Sequence, residues 1–174
     1  MNGDGFPDLL TANSGDSSAT ILLNDKKGGF SFHSDVATGS SPESVTAGDF
    51  NADGKVDMAV ANVGSNTVSV WLGNGDGTFQ QKKDFATAAS PINVTTGDFN
   101  GDGKLDLAVA AGAKSISLLL GNGDGTFQAH VDLTAGSSPA SVIAADVNND
   151  GNLDLVGAFL DVDGLRRQQA VAEH

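Results

Sequence analysis

Three sequence markers recur together every 48 or 49 residues, and they predict an all-β fold: a partial β-propeller of about three and a half four-stranded antiparallel blades. The first marker is an aspartate-rich loop, present in full at residues 49–57, 98–106 and 146–154 and cut short at the N-terminus. The second is a Ser-Pro pair at 41–42, 90–91 and 138–139. The third is a Gly-Asn-Gly-Asp-Gly-Thr-Phe run at 73–79 and 121–127. Because all three keep one register, they define a repeat.

Within one repeat, short stretches rich in Val and Thr alternate with Gly, Asn and Asp, which is typical of strands joined by turns. The predicted strands of the best-defined repeat are 44–48, 57–62, 67–72 and 79–85. Residues 105–111 and 116–120 are almost continuously apolar, as expected of strands covered on both faces. Four strands in this length favour a propeller blade over a solenoid, whose turns need shorter repeats.

The repeats cover residues 1–159, with boundaries near residues 41, 90 and 138. Residues 160–174 leave the pattern and are predicted to form a divergent C-terminal tail. Within that tail, the segment 165–170 is expected to be a short helix or a frayed end.

The composition indicates turns and strands instead of helices. The chain has 20 Asp but only 2 Glu, with 23 Gly and no Cys; Glu suits helix interiors, whereas Asp and Gly suit turns and metal loops. The formal net charge of −13 argues against nucleic acid or an anionic membrane surface as partner. No apolar run is long enough to cross a bilayer, and no signal peptide is predicted at the start of the sequence.

Each aspartate-rich loop has the chemistry of a calcium site. Numbered from its first Asp, positions 1, 3, 5 and 9 supply side-chain oxygens and position 7 supplies its backbone carbonyl, while Gly at position 6 permits a sharp turn. Ca²⁺ takes about six to eight oxygen ligands, and without an ion the three carboxylates repel one another. The predicted ligands are Asp49, Asn51, Asp53, Lys55 and Asp57; Asp98, Asn100, Asp102, Lys104 and Asp106; Asp146, Asn148, Asp150, Asn152 and Asp154; and, in the N-terminal copy, Asn2, Asp4, Phe6 and Asp8.

The same residue types also form ordinary turns, so a single match would be a weak signal. Three full matches in register, varying only at the tolerant positions, favour calcium. An EF-hand is excluded because its position 12 must be a bidentate carboxylate, and here that position is Val60, Val109 and Gly157. Tandem nonapeptide calcium repeats are excluded because their period is far shorter.

Other candidate motifs have simpler interpretations. The Gly-Asn-Gly-Asp-Gly runs lack the Lys-Ser/Thr and the helix of a P-loop, so hairpin turns are predicted, with Asp76 and Asp124 as weak candidates for auxiliary metal ligands. Trp71 occupies the repeat position of Leu22 and Leu119, which predicts a core residue instead of a sugar-stacking platform. The three histidines, which share no metal or catalytic spacing, are predicted to be surface residues: His33, His130 and His174. We expect no enzymatic activity.

The element Gly-Asp-Phe-Asn-x-Asp-Gly-Lys-x-Asp, followed by Leu-Gly-Asn-Gly-Asp-Gly-Thr-Phe, resembles the FG-GAP/VCBS-type repeats of integrin α-like β-propellers over residues 1–159. The resemblance implies a seven-bladed propeller whose loops bind calcium between two strands of a blade. It places the calcium ligands on the loop residues given above. The chain is therefore expected to be a fragment of such a propeller, or an open arc that needs a partner to cover its sheet edges. It has three complete sites and a fourth that lacks position 1 and is expected to be weak or empty.

The resemblance further implies a calcium-stabilised extracellular binding or adhesion module, secreted or on the cell surface, with a protein or glycan ligand. The alternative is an accessory carbohydrate-binding propeller of a secreted polysaccharide-active enzyme. Neither interpretation requires membrane insertion, and further repeats of a longer chain remain a possible partner.

Overall fold

A computed structural model describes residues 1–112, 114–135, 138–160 and 166–171, and in these residues it contains fourteen strands and no helix. The first sheet contains β1 (Leu9–Asn13), β2 (Ser18–Asn24) and β3 (Phe30–Ala37). The second contains β4 (Pro42–Gly48), β5 (Asp57–Asn62), β6 (Thr67–Trp71) and β7 (Lys83–Ala86). The third contains β8 (Pro91–Gly97), β9 (Asp106–Ala111), β10 (Ser115–Leu119) and β11 (Val131–Thr134). The fourth contains β12 (Pro139–Ala145), β13 (Asp154–Leu160) and β14 (Arg166–Val171).

Within each sheet the strands follow chain order and neighbouring strands are antiparallel. The inner strands β4, β8 and β12 contact one another in succession, and β1 contacts β4. The sheets therefore stand side by side around an axis, as the blades of an open β-propeller do, and the predicted fold class is confirmed. Across the described part of the chain, no helix is long and apolar enough to cross a membrane.

The C-terminal prediction was wrong in one respect. Residues 166–171 form β14, which pairs antiparallel with β13 over six positions, from Leu155 with Val171 to Leu160 with Arg166. The missing turn motif suggested that the repeat had ended, but β13 still presents an unpaired edge whose backbone N–H and C=O groups must be satisfied. Residues 161–165 and 172–174, where the rest of the predicted tail falls, lie outside the described residues.

The second strand of the second sheet and that of the third sheet are covered on both faces, as the apolar run at 105–111 predicted for the third. All six residues of β5 and all six of β9 are buried. Side chains alternate across a strand, so each of these strands contributes to two cores. In β5, Met58 and Val60 lie in the core shared with the first sheet, whereas Ala59 and Ala61 lie in the core shared with the third.

Each sheet thus has a leading face, directed at the preceding sheet, and a trailing face, directed at the next one. Three cores result, each formed by the trailing face of one sheet and the leading face of the next. Burial of each large apolar side chain contributes about 1.5–3 kcal/mol, so these cores hold the array together. The leading-face residues of the second, third and fourth sheets include Met58 and Trp71, Leu107 and Leu119, and Leu155 and Phe159.

Candidate functional site

The aspartate-rich loops join equivalent strands. Residues 49–56 connect β4 to β5, residues 98–105 connect β8 to β9, and residues 146–153 connect β12 to β13, while the N-terminal copy leads into β1. The loops lie beside one another. The N-terminal loop and the loop at 49–57, together with Asn74 and Gly75, line a cleft of about 470 Å³. The loops at 98–106 and 146–154 line a smaller cleft of about 190 Å³. The candidate ligands therefore share one rim of the array.

Side-chain oxygens of the loop accept hydrogen bonds from its own backbone. The position 1 carboxylate accepts from the position 6 glycine N–H: Asp49 from Gly54 at 2.8 Å, Asp98 from Gly103 at 2.8 Å and Asp146 from Gly151 at 2.9 Å. Position 3 accepts from the N–H of position 5, in Asn51, Asn100 and Asn148. Position 5 accepts from the N–H of position 7, so Asp53 accepts from Lys55, Asp102 from Lys104 and Asp150 from Asn152. These bonds curl the backbone so that positions 1, 3 and 5 face one another.

The position 9 carboxylate is a buried anchor. Asp57 is fully buried, and its Oδ2 accepts from the Phe50 N–H at 2.8 Å while its Oδ1 accepts from the Gly73 N–H at 2.8 Å. Asp106 is also fully buried and repeats the arrangement with Phe99 at 3.0 Å and Gly121 at 2.8 Å. In the fourth sheet, the Asp154 Oδ2 accepts from Val147 at 3.0 Å. In the second and third sheets, the position 9 carboxylate therefore ties the loop to the following hairpin turn.

The loop carboxylates interact electrostatically. Burial raises the pKa of Asp57 above its ordinary value; hydrogen bonds from Gly73 and Phe50 oppose this, while the charges of Asp49 and Asp53 reinforce it. Burial likewise raises the pKa of Asp106, with the charges of Asp102 and Asp98 adding to the effect. At position 5, the backbone hydrogen bond from Lys55 lowers the pKa of Asp53, and the equivalent bond from Lys104 lowers that of Asp102. The loops at 49–57 and 98–106 are therefore concentrations of negative charge around a buried acid.

The donor chemistry of the loops fits a hard cation such as Ca²⁺, since every candidate ligand atom is an oxygen. The charges of the other two loop carboxylates help to raise the pKa of Asp57 and of Asp106, after burial, which is the main cause. Among the described residues, however, no three Asp, Glu, His or Cys side chains are grouped closely enough to hold a metal between them. Coordination would have to include the Asn side chain and the position 7 carbonyl, together with a small inward movement of the carboxylates.

The N-terminal copy contains the candidate ligands Asn2, Asp4, Phe6 and Asp8. The Met1 ammonium group donates to the Asp8 Oδ2 at 2.8 Å, where Phe50 and Phe99 donate to Asp57 and Asp106. The Asp8 Oδ1 accepts from the Asn24 N–H at 2.9 Å. Asp4 accepts from the Phe6 N–H at 3.0 Å, and the Lys26 ammonium lies 3.4 Å from its Oδ2. That this copy binds calcium weakly or not at all stays a prediction.

The Gly-Asn-Gly-Asp-Gly runs are hairpin turns, as predicted. In the second sheet, the Asn74 N–H donates to the Thr78 carbonyl at 2.9 Å, Gly73 bridges to Phe79, and the Asp76 Oδ1 accepts from the Thr78 N–H at 2.9 Å. The turn therefore replaces the first part of the strand predicted at 79–85, and β7 begins only at Lys83. Whether Asp76 and Asp124 assist a metal stays a prediction.

The first glycine of this turn is required by a close backbone approach. A Cβ on Gly73 would lie 2.2 Å from the Val56 carbonyl oxygen, and one on Gly121 would lie 2.2 Å from that of Leu105. We expect Gly73→Ala to destabilise the protein by about 2 kcal/mol, because the turn must move away from the loop. Thermal melts would measure the loss.

Gly15→Ala is the matched control for that substitution, since a Cβ at Gly15 meets nothing within 4 Å and its backbone φ is not positive. Equal melting temperatures for the two variants would contradict the steric explanation.

Other residues singled out in the sequence have clear places. Trp71 is 4 % exposed and lies in the core between the first and second sheets, so it is a core residue as predicted. The His130 Nδ1 lies 2.9 Å from an Asp132 carboxylate oxygen on the protein surface. His174 and the side chain of His33 lie outside the described residues.

Sequence reasoning missed a polar ladder that joins successive sheets. The Asn93 side chain donates to the Ser44 hydroxyl at 3.3 Å and accepts from the Val142 N–H at 2.8 Å, and the Ser141 hydroxyl donates to it at 3.4 Å. The signal was present, because these side chains occupy one repeat position, directly before a Val that is buried in the third and fourth sheets and half-buried in the second. Short polar residues there can pair only with the neighbouring sheet.

Comparison with known proteins supports the repeat assignment. A model of the FG-GAP-like repeat matches three overlapping segments, at residues 1–60, 49–109 and 98–157. The chain belongs to the FG-GAP-like repeat family. The three matched segments place the family's repeat across most of the described chain. No curated protein sequence matches this FG-GAP-like chain significantly.

Solved structures similar to this FG-GAP-like chain are propellers of low sequence identity. The crystal structure of BBS1N in complex with ARL6DN, soaked with lead, matches this chain with a TM-score of 0.62 and a sequence identity of 17 %. The match covers 98 % of this chain and 54 % of that chain. The structure of the same complex soaked with mercury matches with a TM-score of 0.61 and an identity of 14 %, and the match covers 97 % of this chain and 50 % of that chain. The structure of a protein of unknown function from Bacteroides caccae matches with a TM-score of 0.50 and an identity of 16 %, and the match covers 93 % of this chain and 56 % of that chain. The chain thus spans about half the length of the structures it matches, and at these identities the likeness shows the fold alone.

Proposed function

We propose that this chain is a calcium-stabilised, non-enzymatic binding module that functions outside the cell. The observation that supports the proposal is the aspartate-rich loop, repeated in register, which gathers three carboxylates, the last of them fully buried in two of the copies. Asp57 and Asp106 have raised pKa values because of burial and because of their own loop partners. A dication at the centre of the loop would remove this repulsion and use the negative charge that the fold has concentrated there.

The role proposed for calcium is structural. The ion would take oxygens from positions 1, 3, 5 and 9 and the carbonyl of position 7. Since position 9 also holds the first residue of the hairpin turn, through the Asp57 and Gly73 pair at 2.8 Å, a filled loop would fix the turn and the ends of two strands. Sites of weak to moderate affinity would be filled in the millimolar calcium found outside cells, which favours a secreted or surface location.

A protein ligand is the preferred partner. The BBS1N structures, which share this fold, contain the protein ARL6DN. This is a fold-level analogy. The rim of the present chain offers a cleft of about 470 Å³ with an apolar side chain, Phe6, beside a cationic one, Lys55. Such a mixed surface suits a protein partner, whereas the net charge of −13 disfavours nucleic acid.

The accessory carbohydrate-binding alternative has less support. The single Trp of the chain is buried at position 71, so it cannot stack on a sugar. Phe6 is 45 % exposed, but the Lys26 ammonium lies 5.3 Å from the centre of its ring. A glycan array probed in millimolar calcium would separate the two functions, because calcium-dependent binding to one class of glycan would favour the alternative.

Calorimetric titration with Ca²⁺ tests the proposal directly. We expect about three equivalents to bind the calcium-depleted chain, one at each full loop, with little binding at the N-terminal copy. Asp98→Ala should remove one equivalent and leave the other two, because each loop lies in a different sheet. Asp16→Ala, an exposed aspartate outside the loops, is the control and should leave the stoichiometry unchanged. An absence of binding at millimolar calcium would refute the proposal.

A further inference from the structure

The hairpin turn at residues 121–127, hereafter the bridging hairpin, belongs to the third sheet but contacts the aspartate-rich loops of two sheets. Gly121, at its start, donates to the Asp106 carboxylate in the loop of the third sheet at 2.8 Å. Gly125, near its end, donates to the Phe50 carbonyl in the loop of the second sheet at 3.0 Å. We propose that the bridging hairpin couples these two loops, so that a cation bound at one loop strengthens binding at the other.

On the side of the second sheet, Phe50 connects the bridging hairpin to the buried anchor of the loop. The Phe50 N–H donates to the Asp57 Oδ2 at 2.8 Å, while the Phe50 carbonyl accepts from Gly125. The Phe50 ring is 2 % exposed and packs edge to face on Phe127, with 5.6 Å between the ring centroids. The position 2 residue therefore holds the anchor of its own loop and the hairpin of the next sheet at the same time.

The bridging hairpin fits tightly against the second sheet. Phe127 is buried and also packs edge to face on Phe85, with 5.3 Å between the ring centroids. Gly125 has a φ of +77°, and a Cβ there would lie 2.5 Å from the Leu72 Cδ2. Glycine permits both this backbone conformation and this close approach. A displacement of the bridging hairpin must therefore displace atoms of the second sheet.

Hydrogen bonds inside the bridging hairpin hold its two ends together. The Asn122 N–H donates to the Thr126 carbonyl at 2.9 Å, and the Asn122 side chain donates to the Thr126 hydroxyl at 2.9 Å. The Asp124 carboxylate accepts from the Thr126 N–H, also at 2.9 Å. Because these bonds close the turn, Gly121 and Gly125 are expected to move as parts of one unit.

The contacts thus form one series between two buried anchors, Asp57 and Asp106. The coupling rests on the proposed function, in which each anchor is also a ligand of the bound cation. A cation that fixes Asp106 restrains the bridging hairpin and, through it, Phe50. The loop of the second sheet then has less conformational freedom to lose when it binds its own cation. Couplings of this kind change affinity by about 5–150-fold and act equally in both directions.

Calorimetric titration of the full chain with Ca²⁺ tests the coupling. Every chain carries Asp146→Ala, which removes a ligand from the loop of the fourth sheet. One chain keeps both remaining loops, and two further chains keep a single loop each, through Asp49→Ala or Asp98→Ala. The overall binding constant of the two-loop chain should exceed the product of the two single-loop constants by about fivefold or more.

A variant of the bridging hairpin shows whether the coupling passes through it. Phe127→Leu keeps every proposed ligand but removes the ring contacts with Phe50 and Phe85. In the two-loop chain it should reduce the excess binding constant towards the simple product. Phe79→Leu is the matched control, because Phe79 is the equivalent residue of the hairpin in the second sheet and packs on the core shared with the first sheet. It should leave the coupling unchanged.

Chemical denaturation in chelator tests the link between the loops without calcium. Among the described residues, Asp57 and Asp106 share no hydrogen-bond partner, so independent effects of Asp57→Asn and Asp106→Asn on the unfolding equilibrium constant would multiply. If the bridging hairpin links them, the double variant should fall short of that product by about threefold or more. Asp57→Asn with Asp154→Asn, two sheets away, is the control pair and should give the product.

The two experiments separate failure of the coupling from failure of the proposed function. Calcium binding with an overall constant equal to the simple product, together with effects that multiply in chelator, would overturn the coupling and leave the proposed function standing. An absence of calcium binding, together with a shortfall in chelator, would refute the proposed function and support the link between the loops.

Discussion

Depletion of calcium is expected to lower the melting temperature of this protein by roughly 20 °C. Each full loop filled at 100 times its dissociation constant would add about 2.7 kcal/mol, so three loops would add about 8 kcal/mol. In a chain of this size, about 1 kcal/mol corresponds to a shift of roughly 2–4 °C. Far-UV circular dichroism during thermal melts, with calcium and with chelator, would measure the effect.

The controls for this experiment are single-loop variants. Asp49→Ala, Asp98→Ala and Asp146→Ala should each remove about one third of the calcium-dependent shift, and Asp16→Ala should remove none. Magnesium should substitute poorly, because it demands a near-ideal octahedral shell that a flexible loop of this kind does not impose. A melting curve that is unchanged by chelator would eliminate a structural role for calcium.

Replacement of the buried anchor is expected to have the second large effect. Asp57→Ala should destabilise the protein by about 3–5 kcal/mol, because it leaves the N–H groups of Phe50 and Gly73 buried without an acceptor. The loss should persist when calcium is absent, since both hydrogen bonds join the Asp57 carboxylate to backbone N–H groups of the protein itself. Chemical denaturation of the variant and of the wild type, each with and without chelator, would measure it.

Asp49→Ala is the matched comparison for Asp57→Ala. Its carboxylate accepts from Asp53 and Gly54, whose N–H groups lie in an exposed part of the loop and can bond to water instead. We therefore expect Asp49→Ala to cost little in chelator and more in calcium. If the two variants lost the same stability under both conditions, the distinction between anchor and ligand would be wrong.

Much of the fold could be predicted because the same strand and turn patterns recur in each repeat of the sequence. The apolar run at 105–111 predicted a strand buried on both faces, and β9 is buried throughout. The Gly-Asn-Gly-Asp-Gly run predicted a hairpin, and the Asn74–Thr78 bond closes one. Trp71 was placed in the core by its counterparts Leu22 and Leu119, and the packing of neighbouring sheets agrees. In each case, local chemistry and repeat position gave the same answer.

What could not be predicted depends on contacts between elements. The segment now known as β14 has no apolar alternation, and it becomes a strand because β13 offers an edge. The role of Asn93 depends on the spacing of two sheets, which no single repeat reveals. At position 9 the sequence predicted a ligand, but it did not predict that Asp57 would also hold the turn through Gly73. A motif marks the position of a side chain but does not reveal the distant backbone groups that it contacts.

The pairing of faces between sheets also bears on how such chains change length over evolution. Any stretch of 48 or 49 residues carries one leading face and one trailing face. A duplication of that length in the gene therefore inserts a blade that already fits on both sides. A deletion of half that length would instead leave mismatched surfaces at two boundaries. Arrays built on this rule can grow or shrink by whole units through unequal recombination, without any new contact having to arise by point mutation.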